Sequence, residues 1–128
     1  MIDTSAIVRF HDSRLARRNW PHEDAEPFHP GPWCWIYANH RYNTLLWHEE
    51  NMRRIACYRQ RRNHARDAID DAILALLDDP PPARKAGAMI SRLSILSLKI
   101  FYMHAQSLRL RQQRTDLLAC LDKLLVGK

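Results

Sequence analysis

Cysteine is scarce. Cys34, Cys57 and Cys120 are the only three, an odd number spaced too widely for a disulfide framework or a zinc knuckle, so reduced, buried thiols are expected. Glycine is as scarce, at positions 31, 87 and 127, so there is no glycine-rich phosphate loop, and no serine sits in a nucleophile elbow. Apolar runs fall short of the roughly 20 residues of a spanning helix, and the N-terminus lacks a charged segment followed by an apolar one; together these predict a cytoplasmic protein with no membrane span. Acidic residues are outnumbered, 14 Asp and Glu against 20 Lys and Arg. The net charge of +6 and a pI near 9.7 favour an anionic partner without choosing among nucleic acid, phosphate esters and an acidic membrane surface.

What is present is helix. With 46% hydrophobic and 27% charged residues, the 128-residue chain has the balance of one soluble globular domain. Proline punctuates it. Pro21, Pro27, Pro30 and Pro32 close a segment 1–32, in which a short helix from Thr4 is capped by Asp3, Thr4 or Ser5 and anchored by Ile7, Phe10 and Leu15. Pro80, Pro81 and Pro82 separate two long helix-compatible stretches, 33–79 and 83–126. In the second, Met89, Leu93, Leu96, Ile100, Met103, Leu110, Leu117, Leu121 and Leu124 form a heptad seam interrupted by Ser107 and Arg114. Around Ile95, Leu98, Phe101 and Tyr102 this helix is apolar on further faces, more than one hairpin partner can cover. The expected fold is therefore all-α: a long antiparallel helical hairpin plus a short N-terminal helix. The remaining apolar surface is covered either by that first helix or by a second chain; we expect a bundle completed by dimerisation through the middle of the second long helix.

Turning the first long helix by 100° per residue separates two arcs. Ala38, Tyr42, Leu45, Leu46 and Ala56 make an ordinary core stripe. Beside it run His40, Asn43, Trp47, Glu50 and Arg54, at packing-seam spacing but with side chains that demand partners if buried. Either Trp47 packs on a neighbouring helix while Glu50 pairs with Arg54 and His40 and Asn43 meet water, or the row lines a polar interhelical groove that binds something. In both cases Trp47 should be substantially buried, with Glu50 bonded to an arginine.

The stretch His40-x-x-Asn43-x-x-Leu46-Trp47-His48-x-Glu50 with Arg54 resembles the leading motif of a bacterial family of unknown function, L-H-x-x-N-x-x-L-W-H-x-E-D-x-A-R. Gln60, Arg62, Asn63, Asp67, Ile69 and Asp70 resemble its second motif, and Met89 to Met103 its third, M-I-D-R-L-S-I-L-x-L-K-I-Y-H-M. The resemblance implies a setting near glycosyltransferase and cell-envelope sugar genes, and it adds Arg62 and Asn63 to the ligand-binding candidates. Arg92 and Lys99, seven apart in an apolar segment, either snorkel to water or face Glu50 or an anionic ligand across the groove. Three of the family's aspartates are replaced here, by Asn51, His64 and Ser91. A hard divalent cation held by those carboxylates in relatives would be held poorly in this chain. The acidic residues also resemble, loosely, those of helical pyrophosphohydrolases, for which Glu49, Glu50, Asp67 and Asp70 are the available carboxylates.

No Cys/His pair has metal-ligand spacing, and no metal or cofactor is called for. Arg53, Arg54, Arg59, Arg61, Arg62 and Arg66, and again Arg109, Arg111 and Arg114, spread round their helices and are followed by acids, as a solvated surface requires, so nucleic acid is disfavoured as a partner. Two functions remain. One is a non-enzymatic protein acting by association, as a homodimer or with a protein partner. The other is a binder of, or enzyme on, an anionic small molecule such as a nucleotide or nucleotide sugar, whose catalytic residues the sequence does not name. Midpoint arithmetic around Pro81 places Lys99 near Asn63, Tyr102 near Gln60, Arg92 near Asp70, and Trp47 near Thr115.

Overall fold

A computed structural model describes residues 3–22, 31–76, 86–103 and 107–126. These form five helices with no strand among the described residues: α1 (Thr4–Leu15), α2 (Trp33–His48), α3 (Met52–Leu74), α4 (Ala86–Tyr102) and α5 (Ser107–Val126). No helix among them is long and apolar enough to cross a membrane. The all-α expectation holds, as does the short first helix, whose N-cap is Asp3 with its carboxylate accepting from the Ser5 N–H. The proline-rich linker over 23–30 and the turn expected at Pro80 to Pro82 lie outside the described residues.

Each expected long helix is two helices. The first breaks at Glu49 to Asn51 because Asn51 is an N-cap: its Oδ1 accepts from the N–H groups of Arg53 and Arg54, both at 3.1 Å, while Glu49 Oε1 accepts from the Asn51 N–H at 3.0 Å. The second breaks after Tyr102, and α5 folds back along α4. The heptad steps of α4 continue in α5, which is why the seam reads as one helix. Arg114, its second interruption, faces inward: NH1 donates to Ser97 Oγ on α4 at 3.0 Å and to Asp12 on α1 at 2.8 Å.

α4 is the centre, packed on by the other four helices. Asn39 lies beside Ser91 and Trp47 beside Tyr102, so α2 runs the same way as α4. Asp70 meets Gly87, and Arg114 meets Ser97, so α3 and α5 run the other way. The C-terminal ends of α2 and α4 and the N-terminal ends of α3 and α5 therefore share one end of the bundle. Ile7, Ile36, Ile69, Ile90, Leu93 and Leu121 fill the core, with Leu15, Trp20, Tyr37 and Leu98 forming a second cluster under α1. Leu93, Leu96 and Leu98 in the middle of α4 are buried within the chain, with α1 packed on that helix, whereas Phe101 and Tyr102 at its end are exposed. The three thiols are free but exposed, not buried.

Gly87 sets the spacing of α3 and α4. A Cβ there would overlap the carbonyl oxygen of Arg66, and the backbone contact lets Asp70 Oδ1 accept from the Gly87 N–H at 2.7 Å, satisfying a donor that the first turn of α4 leaves unpaired. Gly87→Ala should destabilise by about 1–3 kcal/mol through overpacking, and Asp70→Ala by a similar amount of about 1–3 kcal/mol through the orphaned buried N–H. Both are read as a lower urea midpoint; a Gly87→Ala protein as stable as the parent would show that the helices do not approach this closely.

Candidate functional site

The arc of α2 that faces inward is the polar one. Asn39, His40, Asn43 and Thr44 are four of its seven buried residues, whereas of the expected core stripe Leu45 is buried, Ala38, Tyr42 and Leu46 are half-buried, and Ala56, beyond the break, is exposed. Their partners are the serines of α4. Asn39 Nδ2 donates to Ser91 Oγ at 3.1 Å, and Asn43 Nδ2 reaches Asn39 Oδ1 at 3.2 Å and Ser91 Oγ at 3.3 Å. His40 Nδ1 lies 2.6 Å from Ser94 Oγ. Ser97 accepts from Arg114. Steps of three turn by 300°, so the row Ser91, Ser94, Ser97 winds across α4 from the α2 side to the α5 side. This row was the missed signal: hydroxyls at fixed spacing inside an apolar run, in the segment with the strongest motif.

His40 is held on every side. Its Nε2 lies 3.1 Å from the His11 carbonyl, which can only accept, so Nε2 carries the proton and Ser94 donates to Nδ1. The ring stacks on Trp20 at 5.2 Å between centroids and meets the His11 ring at 4.4 Å. Trp20 Nε1 donates to Thr44 Oγ1, which donates to the His40 carbonyl. Burial, with the Arg14 guanidinium adding to it against the His11 carbonyl bond, pushes His40 down to about 3. Burial, the His40 ring and Arg114 hold His11 well below its ordinary value, and neither nitrogen of the His11 ring has a hydrogen-bond partner among the described residues. A serine donating to a histidine has the polarity of a nucleophile–base couple. Here both side chains are fully buried and neither lines either of the two cavities, so the pair binds helix to helix.

The row expected on one face is split. His40 and Asn43 are inside rather than in water. Trp47 is 37% exposed, stacked on Tyr102 at 5.7 Å, and not beside Glu50 and Arg54. Glu50 is exposed and has no ion pair among the described residues; Arg54 instead reaches Glu49, at 4.0 Å. The cap at Asn51 explains this, because the extended residues before it rotate Glu50 and Arg54 off the α2 line. Arg62 donates to its neighbour Asn63 on α3, and burial together with Arg66 and Arg59 lowers its pKa. Arg92 is exposed and Lys99 half-buried on α4. The true register is about a turn from the arithmetic one: Asp70 meets Gly87 rather than Arg92, and Tyr102 meets Trp47 and His48 rather than Gln60. Asp70 is separated from Glu49 and Glu50 by the length of α3, roughly 27 Å at 1.5 Å per residue. Among the described residues no three His, Cys, Asp or Glu side chains lie close enough to share a metal ion.

Cavities open at the surface of the described part of the chain. One of about 550 Å3 lies at the shared end, lined by Asp12, Ser97, Ile100, Phe101, Tyr102, Ser107 and Arg111. One of about 530 Å3 lies between α2 and α3, lined by Trp35, Ala38, Tyr42, Gln60, Arg61, His64 and Ala65. Among known proteins, a family model described as Protein of unknown function (DUF4254) matches residues 50–126, a span that takes in the second and third motifs. No curated protein and no solved structure matches the chain.

The neutral histidine pair gives the fold an acid sensitivity of defined sign. Both folded pKa values lie below the unfolded 6.5, so the unfolded chain binds more protons; stability is complete above about pH 6.5 and is lost as pH falls from there toward 3. From pH 6.5 to 5, above the carboxylate range, each ring should cost up to about 1.4 kcal/mol per pH unit. The urea midpoint should fall over that interval, and His11→Leu should halve the slope. A flat midpoint would mean that the rings are not held neutral.

Proposed function

The chain belongs to the DUF4254 family, and we propose that it is a non-enzymatic association module, a homodimer joined through the shared end of the bundle. One observation carries this reading: apart from Leu76, every large hydrophobic residue exposed among the described residues sits at that end. Trp47, Phe101, Tyr102 and Met103 are 37–42% exposed, Met52 77% and Leu108 85%. The aromatic members are preorganised, Tyr102 stacked on Trp47, edge-on to Phe101 and bonded through its hydroxyl to His48 at 3.0 Å. Rigid aromatics in one patch are the usual anchors of an interface.

A second copy fits this end better than an unlike partner. The patch carries both a knob, Leu108, and a recess, the cavity of about 550 Å3 bounded by Ile100, Phe101 and Tyr102. A two-fold axis would seat Leu108 of the partner subunit in that recess and repeat the contact in reverse. The rim holds both signs, Glu49 and Glu50 at the start of α3 and Arg109 and Arg111 on α5, so it is complementary to itself although the chain carries a net +6.

Light scattering should give a mass twice the 15.1 kDa of the chain. Leu108→Glu with Met52→Glu, both far out in solvent, should give the single-chain mass with an unchanged helical circular-dichroism spectrum. A parent protein that is monomeric at high micromolar concentration, or a dimer that survives both substitutions, overturns the reading.

A further inference from the structure

The groove between α2 and α3 is independent of the dimer surface and has the chemistry of a different ligand. The geometry points to a binding site for a nucleoside phosphate, with the base lying over Ala38 between Trp35 and Tyr42, its edge met by Gln60, and the phosphate met by Arg61.

Four observations support this placement. The cavity, about 530 Å3, falls in the range of roughly 300–1,000 Å3 that small-molecule sites occupy. Trp35 and Tyr42 are seven residues apart on α2, hence two turns or about 10.5 Å along its axis, with the small Ala38 between them as a low floor. That leaves a slot with an aromatic wall at each end, which suits a planar ring. Gln60 is exposed, and among the described residues its amide has no partner, so a donor and an acceptor side by side remain for a base edge. Arg61 is fixed at the mouth, its NH1 donating to the Tyr42 hydroxyl at 3.1 Å and its guanidinium 5.9 Å from the centre of the Tyr42 ring, which leaves further N–H donors for an anion.

Charge selects the phosphate. Neither wall contains a carboxylate: residues 33–48 and 52–66 hold no Asp or Glu, while 52–66 alone hold six arginines. Of these, Arg53, Arg59, Arg61 and Arg62 have no ion pair among the described residues. Arg62 shows the resulting repulsion, its pKa lowered by burial and then by Arg66 and Arg59. Positive charge left unneutralised beside an aromatic slot destabilises the empty protein and favours a bound anion. A free mononucleotide and one unit of a single strand present the same chemistry.

Quenching of tryptophan fluorescence, followed by calorimetric titration, tests the site with AMP, GMP, CMP and UMP, with adenosine and inorganic phosphate as the separate halves, and with a single-stranded oligonucleotide. Saturable mononucleotide binding, much weaker for either half alone, is the expected result. Arg61→Ala and Gln60→Ala, both on exposed positions that leave the core intact, should each weaken it about tenfold, the size of a lost charge-assisted hydrogen bond. Binding of the oligonucleotide but of no mononucleotide, with the same dependence on Arg61 and Gln60, places the same site on a strand. Binding of neither, or binding that ignores both substitutions, overturns the proposal.

Discussion

The hydrogen bond between Ser94 and His40, closed on its other side by the His11 carbonyl, is the contact on which the arrangement of three helices depends. The His40 ring is fully buried with both nitrogens bonded, one to α4 and one to α1, a condition that only one register of α1, α2 and α4 meets. Apolar packing tolerates sliding by a turn, since leucine replaces leucine in a seam; directed polar contacts do not. Ser91 with Asn39 and Asn43, and Ser97 with Arg114, repeat the constraint above and below, so that α4 is indexed to α2 and to α5 at successive turns.

Once that register is set, the break at Asn51 determines what the surface can do. Because α2 stops at His48 and α3 starts again from a new cap, Trp47 and Met52 finish at the same end as Phe101, Tyr102 and Leu108. An unbroken helix would have carried Glu50 and Arg54 along the side of the bundle and left no such end. The same reversal lays α3 along α2 and makes the groove between them, with the arginines of one wall opposite the aromatics of the other. One short polar cap thus separates an apolar end from a basic flank.

Helix content, the first helix with its cap, and the buried character of the second half were legible in the sequence, since they rest on periodicity and on proline. The two breaks were not. Asn51 is compatible with a helix interior, and only its bonds to Arg53 and Arg54 show it as a cap, while the heptad steps of α4 continue in α5. The polar row on α2 was visible as an arc distinct from the apolar one, but a helical wheel gives relative angles and not which arc faces inward. Hydrophobicity chose Ala38, Tyr42 and Leu46; the serines of α4 decided otherwise, because a helix whose facing surface carries hydroxyls is best met by amides and an imidazole. The misplacement of Trp47 follows from the same cause, since the residue was assigned to a face that ends one residue after it.

Asn51, His64 and Ser91 have separate physical meanings. Asn51 caps α3, a role that asparagine and aspartate fill about equally well. His64 lines the α2–α3 groove, where its imidazole packs edge-on against Trp35 at 5.4 Å. Ser91 matters most. The side chain is buried between Asn39 and Asn43, and a carboxylate there would need a cation that neither amide supplies. Serine keeps this contact uncharged, whereas Arg14, Asp70 and Arg114 are buried charges elsewhere in the bundle, Arg114 paired with Asp12, whose carboxylate is half in solvent. Uncharged hydrogen bonds therefore index α2 to α4, while Arg53, Arg59, Arg61 and Arg62 on the α3 flank have no ion pair among the described residues.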